Sequence, residues 1–136
     1  MLSKYGSKSF KVLAFPCNQF GMQEPANNNE ILACYKHVRP GNGFTLKKGG
    51  RVFAKIDVNG SKEHPLYKFL KKVCPQPVVQ LGPMHRLFYD IVKVTDVSWN
   101  FEKFLLDKNG QPRYRFSPGF RNHSMLEEKV EELLNE

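Results

Sequence analysis

Apolar runs of strand length alternate with stretches of helical period along this 136-residue chain, and that alternation limits the fold most. Lys11-Val12-Leu13-Ala14-Phe15 reads as a short strand halted by Pro16, which cannot donate to a sheet ladder. From a cap at Asn28 or Asn29, the residues Ile31, Cys34, Tyr35 and Val38 recur at helical spacing, with Glu30 favourable in the first turn. Pro40-Gly41-Asn42-Gly43 closes that helix. Val52-Phe53-Ala54-Lys55-Ile56 predicts the next strand, turned at Asn59-Gly60. Pro65 suits a first helical position, and Leu66, Phe69, Leu70 and Val73 form one apolar face behind it. After a proline-bearing loop over 74–98, Phe104-Leu105-Leu106 and Arg113-Tyr114-Arg115-Phe116 read as a hairpin around Asn109-Gly110. Ser124 with Glu127 predicts a capping box, and Leu126, Val130 and Leu133 a buried stripe on the terminal helix. The order β-α-β-α-β-β-α implies an α/β or mixed sheet with helices on its faces, in one domain over 1–136.

Charge asks whether the partner is a polyanion. The net charge is +8, yet Lys47-Lys48, Arg51, Lys71-Lys72, Arg113, Arg115 and Arg121 are scattered rather than massed. They read as a solvated basic surface that attracts small anions, and no motif for reading nucleic acid accompanies them. No apolar run reaches the length of a membrane span, and the first ten residues contain no apolar signal core. Three cysteines, Cys17, Cys34 and Cys74, fit neither a disulfide framework nor a zinc site. Two sequons, Asn59-Gly60-Ser61 and Asn122-His123-Ser124, are of the kind that chance supplies.

Two separated segments carry more chemistry than the rest: Phe15-Pro16-Cys17-Asn18-Gln19-Phe20-Gly21-Met22-Gln23-Glu24-Pro25 and Trp99-Asn100-Phe101-Glu102-Lys103-Phe104. In that order they resemble the two hallmark segments of the glutathione peroxidase family. Lys36 to Phe44, Asp57-Val58-Asn59-Gly60 and Gly82 to Phe88 extend the resemblance, which runs from about Lys11 to Phe116. The Arg39-Pro40-Gly41-Asn42-Gly43-Phe44 loop and the long segment before Trp99 look like insertions of the tetrameric, selenium-type subfamilies. The resemblance implies a thioredoxin-like fold, here lacking its first strand and helix, and a homotetramer.

It also implies a reaction. In the family a selenocysteine or cysteine anion attacks the peroxide, and thiols reduce the resulting selenenic or sulfenic acid. The segment carrying that residue is expected upstream of Met1, so this chain alone is expected to be inactive. Gln23, Trp99 and Asn100 match the supporting catalytic residues. An amide or indole N–H donates to an anion without bringing a competing titration. Arg39 matches an arginine that grips glutathione carboxylates, a task suited to a bidentate donor.

By the same resemblance Cys17 is a small buried hydrophobe, and Cys34 lies on the helix where thioredoxin-dependent relatives keep a resolving cysteine. Where the cellular enzyme has a paired arginine and a lysine, this chain has Pro118-Gly119 and Asn27. Glutathione specificity therefore stays open beside other thiols.

The implied function is reduction of hydrogen peroxide or organic hydroperoxides in defence against oxidative stress, with glutathione as co-substrate and no cofactor or metal. The alternative is a non-catalytic thioredoxin-like binding protein or an inactive fragment. Location is open between cytoplasm and secretion.

Overall fold

The computed structural model describes residues 1–6, 9–76, 81–119 and 123–136. The second sequon begins at Asn122, outside those residues. The chain divides into two compact units: Met1–Asn18 with Gln23–Ile56, and Gln19–Met22 with Asp57–Glu136.

In the first unit a short helix, α1 (Leu2–Tyr5), precedes strand β1 (Val12–Ala14), helix α2 (Ile31–His37) and strand β2 (Gly50–Val52). β1 and β2 run parallel, with Val12 opposite Gly50 and Ala14 opposite Val52. The predicted strand over 52–56 thus starts earlier, at Gly50. Pairing continues past the strand, as Phe53 N donates to Ala14 O at 2.9 Å and Ile56 N to Pro16 O at 3.0 Å. Pro16 lacks an N–H but keeps its carbonyl, which is why it ends the strand yet still accepts. Phe15 stacks on Phe53 at 4.7 Å, and Tyr5 and Ile31 are fully buried.

α2 begins at Ile31, with Glu30 rather than Asn28 or Asn29 in the cap position and no side-chain capping bond from it. Glu30 accepts the Asn27 N–H on its carboxylate, while Asn28 accepts the Lys55 N–H. The asparagines thus organise the turn before the helix. Val38, expected on the buried stripe, is 75% exposed.

The second unit contains α3 (Pro65–Val73), a single 3-10 turn (Met84–Arg86), β3 (Lys103–Leu106), β4 (Pro112–Phe116) and α4 (His123–Leu134). β3 and β4 form the expected antiparallel hairpin, with an irregularity between Leu105 and Leu106. Each described sheet is two-stranded and lies within one unit. α4 is described over His123–Leu134, so Ser124, predicted as a cap, lies within the helix. Val130 and Leu133 are buried as expected. Tyr114 donates to Glu132, fastening α4 to the hairpin.

The face of α3 is turned from the predicted one. Phe69 and Val73 are exposed, whereas Leu70, Lys71 and Cys74 are buried and Tyr67 meets Phe104 edge-on at 6.0 Å. Positions 67, 70, 71 and 74 make a regular helical stripe. It shares only Leu70 with the predicted face, and it carries a lysine. Buried carboxylates beside Lys71 supply the reason it faces inward.

Candidate active site

The tip of the first hallmark, Gln19–Met22, lies in the same unit as Trp99 and Asn100. Gln19 is buried, and its amide works in both directions. Nε2 donates to Asn59 O at 2.9 Å, and Oε1 accepts from Val58 N at 2.9 Å and Asn59 N at 3.0 Å. The Asp57–Gly60 turn is thereby held against the hallmark. Gly21 N donates to Arg86 O and Phe88 N to Gln19 O, both at 2.8 Å, with a bridge between Phe20 and Leu87.

Phe20, 2% exposed, is the meeting point of the two hallmarks. The Trp99 ring sits 5.7 Å from the Phe20 ring, and Asn100 Nδ2 donates to Phe20 O at 3.3 Å. Arg86 lies over the indole at 5.4 Å. A Cβ built on Gly82 would run into Cε3 of Trp99 and stand 2.6 Å from Cζ3, so glycine lets the indole lie against the backbone there. Trp99 and Asn100 are both half-buried.

Gln23 belongs to the other unit. It follows two residues with left-handed backbone, Gly21 (φ 66°) and Met22 (φ 51°), and it is exposed. Its neighbour Glu24 is anchored twice: Glu24 N donates to Asn18 Oδ1 at 3.0 Å, and its carboxylate accepts from Tyr35 Oη at 2.8 Å. Burial and that carboxylate together push the Tyr35 hydroxyl far above the ordinary tyrosine range. Arg39 is exposed just beyond α2, its backbone N–H donating to Cys34 O at 2.9 Å, and a cis bond joins it to Pro40.

Of the thiols, Cys17 and Cys74 are buried and Cys34 is half-buried. Burial pushes the Cys74 thiol up, with Arg115 opposing weakly, so Cys74 is held in its neutral, unreactive form. Among the described residues no cluster suited to a metal ion occurs.

Behind Trp99 lies a buried ionic network that the sequence did not disclose. Asn59, wholly buried, donates from Nδ2 to Val97 O at 2.9 Å and accepts on Oδ1 from Val97 N at 2.9 Å and Lys71 Nζ at 3.0 Å. Its sequon cannot receive a glycan in this fold. Lys71 Nζ pairs with Glu63 at 2.6 Å and Asp96 at 3.0 Å. Arg115 pairs with Glu102 and donates to the carbonyls of Cys74, Thr95 and Asp96 at 3.2, 3.1 and 2.9 Å. Buried charges persist only when matched in this way. The one available signal was position: Lys71 falls on the stripe with Tyr67, Leu70 and Cys74.

A family model described as glutathione peroxidase matches residues 1–71. Glutathione peroxidase 3 of Caenorhabditis elegans is 48% identical over 137 residues, taking in 100% of this chain and 61% of that protein. The cuticular glutathione peroxidase of Brugia malayi is 52% identical over 118 residues, covering 87% of this chain and 53% of its own length. The crystal structure of T. cruzi GPX1 matches with a TM-score of 0.60 at 34% identity, covering 98% of this chain and 65% of that one. The fold is accordingly thioredoxin-like α/β. The chain spans about half to three-fifths of the length of the curated relatives it matches.

Proposed function

The chain belongs to the glutathione peroxidase family, and on that premise we propose that it is part of a peroxidase. The protein reduces hydrogen peroxide or organic hydroperoxides with a thiol donor, glutathione first among them, in defence against oxidative stress. The nucleophile, a selenocysteine or cysteine, comes from protein sequence outside these 136 residues. Trp99 donates its indole N–H and Gln23 and Asn100 their amides toward the anionic nucleophile and the oxygen it attacks. Neutral donors suit this task, because they favour the anion without taking its place in the titration.

The observation that carries this reading is the convergence on Phe20. Residues eighty positions apart in sequence, Phe20 and Asn100, are joined by a hydrogen bond, and the Trp99 ring packs beside them. Cys74 is a poor competitor for the nucleophile's role, given its burial and raised pKa.

Arg39 is the proposed contact for a glutathione carboxylate, its exposure after α2 leaving the guanidinium open to a charged tripeptide. A homotetramer belongs to the same proposal. The exposed apolar side chains Met84, Phe88, Ile91, Val92 and Val94, all within eleven residues of chain, favour it, because apolar surface gains from cover. No helix among the described residues is long and apolar enough to cross a membrane. The cuticular name of the Brugia relative supports action outside the cell.

The test is stopped-flow oxidation of the complete protein by peroxide, followed by reduction with glutathione, in wild type and in Gln23→Ala and Trp99→Phe. Slower oxidation in both variants supports the reading. Wild-type oxidation rates in both would overturn it.

A further inference from the structure

Trp99 and Asn100 sit in a short turn, and one side chain closes that turn from both ends. Glu102, whose side chain is 1% exposed, directs Oε2 back at Ser98, accepting the backbone N–H at 2.8 Å and the hydroxyl at 2.7 Å. Its other oxygen pairs with Arg115 Nε on β4. Ser98 and Glu102 therefore form the two posts of a loop whose crown is Trp99-Asn100-Phe101. Within it Phe101 has φ 65°, a left-handed conformation that a bulky residue adopts only when its surroundings impose it. The Phe101 ring is 84% exposed, so packing of that ring does not impose it. Ser98 is held a third time, its carbonyl accepting from Gly82 N at 3.0 Å.

We propose that Glu102 is the positioning residue of this site: its carboxylate clamps Ser98 to Arg115 and so sets the orientation of the Trp99 indole and the Asn100 amide. The clamp rests on the reading of Trp99 and Asn100 as donors only for its consequence in catalysis, not for its geometry. A carboxylate is required rather than any acceptor. It takes two donors on one oxygen and a guanidinium on the other, and all three charge-assisted bonds are stronger than neutral ones.

Trp99 is the only tryptophan of this chain, so its fluorescence reports its own surroundings. In the 136-residue chain, Glu102→Ala should move the emission to longer wavelength and make the indole more accessible to acrylamide. Glu102→Gln keeps one acceptor and should restore part of the wild-type signal. Ser98→Ala removes only the hydroxyl contact and should give a smaller displacement in the same direction, with Arg115 still paired. It is the informative variant if Glu102→Ala does not fold. Wild-type emission and quenching in folded Glu102→Ala, or in Ser98→Ala should that variant not fold, would overturn the clamp.

In the complete protein, Glu102→Gln should slow the peroxide step roughly tenfold by misplacing a donor, leaving the thiol step unchanged. A displaced indole with an unchanged peroxide step would leave the clamp standing and count against the catalytic reading of Trp99.

Discussion

Asn100 donates its side-chain amide to the backbone carbonyl of Phe20 at 3.3 Å, tying the start of the hairpin segment to the tip of the first hallmark. The contact gives Asn100 a structural duty that Trp99 does not share in the same form, since the indole meets Phe20 only through its ring. The two residues should therefore respond differently to substitution. Trp99→Phe keeps most of the apolar bulk and removes the N–H donor. In the complete protein it should lower the rate of peroxide oxidation by roughly a hundredfold, the usual loss for one preorganised donor, with little change in Tm. Asn100→Ala should lower that rate and also cost about 1 kcal/mol of stability, read from urea unfolding.

Lys71 should prove far more important to folding than a surface lysine. It is 4% exposed, paired with Glu63 and Asp96, and hydrogen-bonded to Asn59. Lys71→Ala takes the cation from buried Asp96 and leaves Glu63 to Lys93, and it should destabilise by about 3–5 kcal/mol. Lys72→Ala, one position along and exposed, should fall within about 0.5 kcal/mol of wild type. Equal effects from the two variants would refute the buried network.

The same network predicts an acid response. Burial alone would raise the Glu63 carboxyl, but Lys71 and Lys93 outweigh it and hold the carboxyl below its ordinary value of 4.5. A carboxylate with a depressed folded-state pKa adds stability that is fully present above its unfolded value. That stability is lost as pH falls through the folded value. Stability should therefore fall as pH drops below about 4.5, and Glu63→Gln should flatten that part of the profile. Thermal melts across that interval measure it, and an equally steep profile in Glu63→Gln would count against the pairing.

The 136-residue chain on its own should show no peroxide turnover with a thiol donor above the uncatalysed rate. Amides and an indole stabilise an anion but do not attack an O–O bond. Turnover abolished by mutating Cys17, Cys34 or Cys74 would place the nucleophile inside this chain.

Arg39 should matter to the second half of the cycle alone. In the complete protein, Arg39→Ala should slow reduction by glutathione and leave peroxide oxidation unchanged, because only the tripeptide brings carboxylates. Raised salt should slow the glutathione step as well, through screening of the net +8 charge. Unaltered glutathione kinetics in Arg39→Ala would locate the contact elsewhere.

Periodicity and turn chemistry in the sequence determined the elements themselves. Pro16 stopped β1, Pro65 opened α3, Asn109-Gly110 turned the hairpin, and Val130 with Leu133 marked the inner side of α4. These are local effects, decided by φ restriction, missing donors and side-chain spacing, so they are written within a few residues. Linear order also brought the two hallmark segments to notice, and with them Gln23, Trp99 and Asn100.

What sequence could not decide was which polar groups would be buried together. Lys71 looks like Lys72, Asn59 looks like a glycan acceptor, and Gln19 is one amide beside another at Gln23. Only tertiary structure sends Lys71 between Glu63 and Asp96 and closes Asn59 on Val97. Only there does Glu102 become a clamp rather than one more charge on a hairpin. The reason is physical. Burying a charge is unfavourable until its partner arrives from a distant part of the chain, and no local pattern records where that partner will be.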